Sequence, residues 1–428
     1  MSDDLPHVLH RPLPQPLRRY RAATALIAPF APMILRRRLA KGKEHAGRWR
    51  EKLGQPTAAR PDGPLVMMHG VGVGEVLALR GLITLMRARR PDLSVLVTSS
   101  AASSATAFDR NPIVGAVHQF LPLDTRATAA PFWDHWQPDL VIWAEQDLWP
   151  GLCGDCAERG IPQAMVNARM NDAAFAKRAK AARLYAAALG LMQVVDAQDD
   201  QTAANLGRLG AQGVTCSGSL KPLAPPLADW PKEADALHRQ LAGRRVWLAA
   251  SSHPADEAVA LAAHRGFPPQ DRPLLIIAPR LPARAAEVLD ACTQSGLTSA
   301  LWSTSPTITP TLDVLVADSF GQMGLWYRLA EAALIGGTFG EVEGHNPWEA
   351  ARLGCCVLHG PRTANFAADY DSLSQQGGAI AVTSAEDILT ALHPVTLATA
   401  RSAAQLVLRE QGGRKAELVN RLLGLVPA

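Results

Sequence analysis

The stretch "GGTFGEVEGHNPWEAARLG", residues 336–354, combines glycines with side chains that could bind a nucleotide. The apolar run before it ends in paired glycines, which is typical of a buried strand entering a tight turn. Asn346 suits a helix N-cap and Pro347 a first helical position, so Glu349 is expected in the first helical turn. Glu349 could simply complement the helix dipole. The polar loop favours a nucleotide site, with phosphate at the helix N-terminus and Glu349 accepting from ribose hydroxyls.

Glu75, in "HGVGVGEVLALR", is a second carboxylate that follows a predicted strand and a glycine-rich turn. The glycine spacing does not fit a dinucleotide fingerprint, and no Gly-Lys-Ser/Thr follows as in a P-loop. A carboxylate at this junction can accept the proton of an attacking hydroxyl, or it can only cap its helix. Glu75 is thus a candidate general base, and Glu145, Asp147 and His69 are the alternatives to it.

Three further loops carry groups suited to phosphate. "ASSHPADE" offers the hydroxyls of Ser251 and Ser252, although Ser252 could equally be an ordinary N-cap. "APRLPARAAEV" places Arg280 where a planar guanidinium could reach a phosphate. "ADSFGQMGLWY" is a loop interrupted by Gly321 and Gly324 that leads into a helix. Each signal is weak alone, but their recurrence at strand ends indicates one binding surface.

These residues need strands to position them, and the sequence alternates apolar strand-like runs with helix-like runs. The strand-like runs of the first half are "PLVMMHG", "LSVLVTSS", "DLVIWAEQ", "QAMVNAR" and "LMQVVDAQ". Those of the second half are "RVWLAASS", "PLLIIAPR", "DVLVADS", "AALIGG" and "CVLHG". This alternation predicts an α/β fold with parallel, doubly wound sheets, which bind ligands at the C-terminal ends of their strands.

A proline-rich linker over 221–231 divides the 428-residue chain into two domains of ordinary size. We predict a first Rossmann-like domain over 45–220, a second over 232–400 and a C-terminal helix over 401–428. Two such domains that face one another across a cleft are a common enzyme plan.

The N-terminal segment, residues 1–44, is basic and partly apolar. From Arg18 to Lys52 there are eleven Lys or Arg residues and two acids, around the uncharged 14-residue run "AATALIAPFAPMIL". That run is too short to cross a bilayer, and no cleavage site of a secretory signal follows it. The pattern fits docking on an anionic membrane surface, or a solvated basic arm packed on its own domain.

Composition excludes several classes of protein. Hydrophobic residues at 48% and charged residues at 19% describe a globular protein, and a net charge of +4 does not imply nucleic acid. Six cysteines make no disulfide framework in a chain of this length, and the CxxC of Cys153 and Cys156 lacks a second pair at zinc spacing. A reducing cytoplasm fits best, and no metal site is expected.

The order of several motifs resembles that of 3-deoxy-D-manno-octulosonic acid (Kdo) transferases, over about residues 45–385. The motifs are "HGVGVGE", "AEQDLWPGL", "VNARM", "GSLK", "ASSHPADE", "APRLPAR", "DSFGQMGLWY" and "GGTFGEVEGHNPWEAARLG". The resemblance implies a GT-B fold and inverting transfer of Kdo from CMP-Kdo to a lipid A precursor, without metal or cofactor. It implies lipopolysaccharide core biosynthesis at the cytoplasmic face of the bacterial inner membrane. It also implies Glu75 as the general base and CMP contacts from Ser251, Ser252, Arg280, Gly321, Gly324, Asn346 and Glu349.

Several positions depart from the usual pattern of that family. The usual Ser, Asn, His, Glu, Glu and Gly are replaced here by Gly72, Gly151, Leu281, Ala283, Gln322 and Glu343. These departures leave two alternatives open: a GT-B glycosyltransferase with a different nucleotide-sugar donor or acceptor, or a catalytically silent relative that binds nucleotide sugar or lipid. Retention of Glu75 and Glu349 argues against the silent relative.

Overall fold

Two seven-stranded parallel sheets organise the chain in the computed structural model. The structure describes residues 12–110, 112–145, 148–224, 226–305 and 307–427. The chain up to Ala224, together with the part from Gly412 onward, forms unit 1, and Pro225–Gln411 forms unit 2.

The sheet of unit 1 has the strand order β3-β2-β1-β4-β5-β6-β7. Its strands are β1 (Leu65–His69), β2 (Ser94–Ser99), β3 (Ala116–Phe120), β4 (Leu140–Ala144), β5 (Gln163–Ala168), β6 (Val194–Ala197) and β7 (Thr215–Cys216). Its helices are α1 (Gln15–Ile27), α2 (Ala31–Ala40), α3 (Val73–Arg89), α4 (Ala102–Arg110), α5 (Arg126–Trp136), α6 (Pro150–Glu158), α7 (Asp172–Ala179), α8 (Ala182–Leu189) and α9 (Asp200–Arg208). The five strands predicted for this half are confirmed, and β3 and β7 are added to them.

The alternating residues of β1 fill two separate cores, because helices cover both faces of a parallel sheet. Val66 and Met68 pack on the side of α3, and Leu65 and Met67 pack on a tryptophan-rich layer. Every residue of β1 is therefore buried, and only its carboxyl end leads to the surface.

The sheet of unit 2 has the strand order β10-β11-β9-β8-β12-β13-β14. Its strands are β8 (Val246–Ser252), β9 (Leu274–Pro279), β10 (Ser299–Leu301), β11 (Val314–Val316), β12 (Ala332–Ile335), β13 (Cys356–His359) and β14 (Ala379–Ala381). Its helices are α10 (Pro231–Leu241), α11 (Pro254–Arg265), α12 (Ala285–Gln294), α13 (Met323–Leu329), α14 (Trp348–Arg352), α15 (Ala367–Ser374), α16 (Ala385–Ala391) and α17 (Pro394–Leu423). The predicted α/β fold with doubly wound parallel sheets is confirmed.

The last part of α17 belongs to unit 1, and a buried lysine fastens it there. The ammonium of Lys415 donates to the carbonyl of Ser217 at 2.6 Å and to its Oγ at 3.0 Å. Ser217 Oγ in turn donates to Asp196 at 2.5 Å. Burial raises the pKa of Asp196, and this hydrogen bond and the charge of Lys415 act against it. The helix end is thus held by a buried, charged hydrogen-bond network.

Candidate functional site

Glu75 lies in the first turn of α3, directly after the glycine-rich turn that leaves β1. Its Oε2 accepts a hydrogen bond from the backbone N–H of Val71 at 2.7 Å. Gly70 permits this close return, because a Cβ there would lie 3.1 Å from the Cβ of Glu75. A Cβ on Gly72 would lie 3.9 Å from Glu75 Oε1, so the turn has room for a serine. The half-buried carboxylate is therefore oriented by its own loop.

His69, one of the alternative bases, is fully buried at the end of β1. Its Nδ1 lies 3.0 Å from Thr98 Oγ1, and its Nε2 lies 3.3 Å from the indole Nε1 of Trp149. Because an indole N–H only donates, Nε2 accepts and Nδ1 carries the proton. Burial lowers the pKa of His69 to about 3. Both nitrogens of this neutral ring are engaged, which makes His69 a supporting residue and a poor base.

Two neighbouring strand ends of unit 1 hold polar residues in the left-handed conformation, Glu145 at φ 60° and Asn167 at φ 55°. The amide of Asn167 donates to Glu145 Oε1 at 3.4 Å, and its Oδ1 accepts the N–H of Leu220 at 2.9 Å. Backbone strain of this kind is concentrated at functional sites. Sequence reasoning missed Asn167, because a backbone angle leaves no mark in composition. Asp147, the remaining alternative base, lies outside the described residues.

The candidate site of unit 2 forms where β8 and β12 end side by side. Ser251 has a φ of 51°, and a Cβ on Gly336 would come within 2.1 Å of its carbonyl oxygen. Gly336 and Gly337 accept the backbone N–H groups of His345 and Gly344 at 3.2 and 2.8 Å. The polar loop that opens after β12 is therefore closed on itself, with its end beside the end of β8.

Asp256, buried in the first turn of α11, fastens this loop to α11. Its carboxylate accepts backbone N–H groups of Gly337 at 2.7 Å, Phe339 at 3.1 Å and His253 at 3.0 Å. On the other side, Glu343 forms an ion pair with Arg362. Glu343 has a φ of 64°, a conformation that glycine adopts freely, which accounts physically for the usual Gly at this position.

Glu349 and Asn346 lie at the start of α14, with Arg280 in electrostatic reach. The helix begins at Trp348, one residue later than predicted, and Asn346 Oδ1 still accepts the Trp348 N–H at 3.1 Å. Burial raises the pKa of Glu349, whereas the charge of Arg280 and a hydrogen bond from Asn346 lower it. Because α14 has only five residues, its dipole is a weak explanation for Glu349. The structure thus brings three predicted site residues together.

The hydroxyl of Ser252 is already engaged in a hydrogen bond within unit 2. It donates to Glu257 at 3.0 Å, and Glu257 accepts both nitrogens of the Arg284 fork at 2.9 Å. His253 is the N-cap of α11, so the ordinary-cap explanation of Ser252 was wrong. Donor contacts from Ser251, which is partly exposed, and from Ser252 stay predictions.

The two predicted glycines before and within α13 have different surroundings. Gly321 is exposed, with a φ of 86° that requires a turn. Gly324 is a packing position, because a Cβ there would lie 2.2 Å from the carbonyl oxygen of Ala228. Between them, the buried Oε1 of Gln322 has no hydrogen-bond partner among the described residues. The donor-binding roles of both glycines stay predictions.

Helices α1 and α2, with the short 3-10 turn between them, present an apolar surface to solvent. We call this surface the apolar face; its large side chains are 41% to 77% exposed and are Leu26, Ile27, Phe30, Met33 and Ile34. Exposed arginines flank it, namely Arg18, Arg19, Arg36, Arg37 and Arg38. No helix in the described ranges is both long enough and apolar enough to span a bilayer.

The helical segment that carries the apolar face, α1 and α2, is packed on the rest of unit 1. Leu17 and Leu35 are buried on its inner side. Tyr20 donates to Asp124 at 2.8 Å, and Arg21 pairs with Asp155 at 2.7 Å. The alternative of a solvated basic arm is therefore correct in its packing but does not explain the exposed apolar side chains.

A cavity of about 630 Å³ in unit 2 lies away from these residues, at the amino-terminal ends of β8, β9 and β11. Its arginines are occupied: Arg244 donates to four backbone carbonyls, and Arg272 pairs with Asp313 at 3.0 Å. We attribute the cavity to loop packing, because ligands of such sheets bind at the opposite ends of the strands.

The chain is similar to transferases in sequence and to nucleotide-sugar enzymes in fold. Residues 47–224 match the family model described as "3-Deoxy-D-manno-octulosonic-acid transferase (kdotransferase)". The 3-deoxy-D-manno-octulosonic acid transferase of Rickettsia bellii is 30% identical over 378 residues, covering 88% of this chain and 90% of that protein. The Rickettsia felis transferase of that name is 32% identical over 329 residues, 77% of this chain and 70% of that protein.

The likeness of fold extends to a solved structure of low identity. UDP-GlcNAc 2-epimerase from Neisseria meningitidis, bound to UDP-GlcNAc, matches with a TM-score of 0.55 at 12% identity. The match covers 84% of this chain and 99% of that one. Together with the two parallel sheets, this likeness confirms the predicted GT-B fold.

Proposed function

The chain belongs to the 3-deoxy-D-manno-octulosonic acid (Kdo) transferase family, and from this premise we propose that it transfers Kdo from CMP-Kdo to a lipid A precursor. The transfer inverts the anomeric carbon and contributes to the lipopolysaccharide core. The observation that carries the proposal is the convergence of Arg280, Asn346 and Glu349 beside the ends of β9 and β12. A guanidinium suits a phosphate, and a carboxylate with an amide suits ribose hydroxyls.

Arg280 is the proposed partner of the CMP phosphate, and Glu349 that of the ribose. Arg280 is exposed, so its planar fork can receive a phosphate and stabilise the charge that develops as CMP departs. Burial raises the pKa of Glu349, and the same charge opposes this rise and so favours the carboxylate form that accepts hydrogen bonds. Ser251, Ser252, Gly321 and Gly324 complete the proposed donor contacts.

Glu75 is the proposed general base. A sugar hydroxyl is a poor nucleophile at neutral pH, so its proton passes to the carboxylate while its oxygen bonds to the anomeric carbon. The bond from that carbon to the CMP oxygen breaks, and CMP leaves with the electron pair. The Val71 N–H that holds Glu75 Oε2 fixes the orientation of the base. We assign charge stabilisation to Arg280, so the proposed reaction needs no metal or cofactor.

The apolar face is the proposed membrane-docking surface of the enzyme. Leu26, Phe30 and their neighbours would enter the interface, while the flanking arginines would contact anionic headgroups, each contributing about 1 kcal/mol. Because this helical segment is packed on the rest of unit 1, it would then hold that unit beside the lipid acceptor. This arrangement supports a location at the cytoplasmic face of the bacterial inner membrane.

The exposed side chain of Leu281, next to Arg280, favours a second candidate. So does Gln322, whose buried Oε1 has no hydrogen-bond partner within the described part of the chain. In this candidate the same machinery transfers a different nucleotide sugar, because both residues replace the charged or polar groups usual in the family.

The test is a transfer assay with CMP-Kdo and a tetra-acylated lipid A precursor, read by mass spectrometry. Acceptor mass should increase by one or more Kdo units. UDP-GlcNAc and other nucleotide sugars, supplied in parallel, should give no product. Transfer from another donor alone would establish the second candidate, and the absence of transfer from any donor, despite CMP binding, would indicate a silent relative.

A further inference from the structure

Two histidines that the proposed reaction leaves unused meet at the junction of β8 and β12. His253 is the N-cap of α11, and His345 stands at the end of the closed loop after β12. Their Nε2 atoms lie 2.9 Å apart and the ring centroids 5.2 Å apart, with the ring planes at 23°, so the two rings meet edge to edge. A hydrogen bond between two imidazole nitrogens needs one donor and one acceptor, so the pair constrains its own protonation.

The capping box of α11 favours one direction of donation. It sets the side chain of His253 against the backbone N–H of Asp256, while the carboxylate of Asp256 accepts the N–H of His253 at 3.0 Å. Because Nε2 of His253 faces His345, the atom turned toward the Asp256 N–H is Nδ1, which suits an acceptor there. Neutral His253 therefore carries its proton on Nε2 and donates it to Nε2 of His345. The proton of neutral His345 must then reside on Nδ1.

Within the described ranges, His345 Nδ1 forms no hydrogen bond with the protein. Tyr370 holds the backbone of His345 by donating to its carbonyl at 2.9 Å. Burial, His253 and the charge of Arg280 lower the pKa of His345, and Asp256 acts against them. The charge of Arg280 also acts on the pKa of Glu349. The Nδ1–H of His345 therefore lies among the residues proposed to bind CMP.

We infer that His345 binds the phosphate of the nucleotide-sugar donor through its Nδ1–H, and that His253 is the positioning residue that keeps the proton there. The inference rests on the proposed function for the identity of the ligand. A neutral N–H beside Arg280 suits a phosphate oxygen, because it donates a hydrogen bond without adding a charge that Arg280 would repel.

The test compares CMP with cytidine, its phosphate-free counterpart, by calorimetry on the full chain. His345→Asn and His345→Gln are a matched pair, because asparagine places its amide near Nδ1 and glutamine places it near Nε2. His345→Gln loses a hydrogen bond to a charged phosphate, so its CMP affinity should be about 10–100-fold weaker than that of the wild type. The CMP affinity of His345→Asn should stay within a few-fold of the wild type. Cytidine binding should change in neither variant. Weak binding by His345→Asn alone, or equal losses for CMP and cytidine, would overturn the inference.

His253→Asn tests the positioning role, since asparagine keeps the helix cap but cannot donate to His345 Nε2. It should weaken CMP binding about 3–10-fold, which is less than a full hydrogen bond, and leave cytidine binding unchanged. Wild-type CMP affinity in this variant would remove His253 from the proposal.

Two-dimensional NMR of ¹⁵N-labelled histidine needs no substitution and reports the tautomers directly. The expected protons are on Nε2 of His253 and on Nδ1 of His345, and the reverse pattern would overturn the inference whatever the variants do. A wild-type chain that binds neither CMP nor cytidine would overturn the proposed donor as well. Wild-type CMP binding by a folded His345→Gln variant would overturn the inference alone.

Discussion

Glu75 and Glu349 both follow a buried strand and a glycine turn, yet the residues around them hold the two carboxylates differently. Glu75 is oriented by the N–H of Val71 within its own short turn. Glu349 follows a loop that Asp256 ties to α11 and that is closed by its own glycines. A locally held carboxylate can respond to a reacting hydroxyl, whereas a cross-linked loop preserves the shape of a recognition surface. The same sequence signal can therefore support a chemical step in one unit and binding in the other.

The comparison predicts its largest effect on turnover at Glu75. Glu75→Gln keeps the size of the side chain but cannot accept a proton, so turnover should fall about 10²–10⁴-fold. CMP affinity should stay within a few-fold of wild type, because the donor is assigned to the other unit. Steady-state transfer and calorimetry check both values.

Glu145→Gln is the matched control, because Glu145 also follows a strand of the same sheet. Its turnover should exceed that of Glu75→Gln by at least tenfold. If Glu75→Gln retained nearly full activity and Glu145→Gln lost it, the base would be Glu145, and Glu75 would only hold its turn.

For Glu349 the comparison predicts an effect on CMP affinity, the quantity that should change little at Glu75. Glu349→Ala should weaken CMP binding by about 1–3 kcal/mol, the scale of a hydrogen bond to a charged group. The fold should persist, since the loop is held by Asp256 and not by Glu349. Calorimetry measures the affinity and thermal melting measures the fold. An unchanged CMP affinity in a folded variant would return Glu349 to a helix-end role.

His69, at the end of β1 just before the Glu75 turn, should make the stability of unit 1 sensitive to acid. Burial lowers the pKa of His69 to about 3, whereas an unfolded chain protonates this residue near its ordinary value of about 6.5. Its contribution to stability is therefore complete above pH 6.5 and is lost as the pH falls toward 3. Between pH 6.5 and 4.5 the wild type should lose about 2 kcal/mol more unfolding free energy than His69→Gln.

Urea unfolding at several pH values measures this difference. His238→Gln, at an exposed position on α10, is the control for replacing a histidine by glutamine. Identical slopes for wild type and His69→Gln would show that His69 does not stay neutral in the fold.

The smallest expected effect concerns the apolar face, which has no counterpart among the helices of unit 2 that carry the donor residues. Replacing both Leu26 and Phe30 by Asp should weaken binding to phosphatidylglycerol vesicles about tenfold or more, because buried apolar area and anionic attraction are both reduced. Co-sedimentation measures it, and salt should release the wild type. Val395→Asp, an exposed apolar position in unit 2, is the control. Equal wild-type binding to neutral vesicles would remove the electrostatic part of the proposal.

Strands that are continuous apolar runs were predictable from sequence, including the three-residue β11, and strands without such a run were not. β1, β4, β8 and β9 are buried on both faces and therefore read as continuous apolar runs. β3 was missed because His118 and Gln119 are polar but buried inside it. β10 and β14 have three residues, as β11 does, but they are edge strands that are not fully buried, so no apolar run marks them.

The grouping of Arg280, Asn346 and Glu349 could be anticipated from residue types at strand and helix ends, and their roles in binding stay predictions. Gly324 shows the limit, since a glycine required by the approach of Ala228 looks the same in sequence as one required by a ligand. The pairing of His253 with His345 was also beyond sequence reasoning. It depends on two loops 92 positions apart meeting at one sheet edge.

The buried ammonium of Lys415 has a consequence for how the polypeptide matures on the ribosome. Unit 1 is discontinuous, and the segment with Lys415 that binds at Ser217 is translated only after the whole of unit 2. Unit 2 is continuous from 225 to 411 and emerges before that segment is made. Domains usually fold in the order of synthesis, but here unit 1, whose larger part is made first, must wait until unit 2 has been translated before it can close.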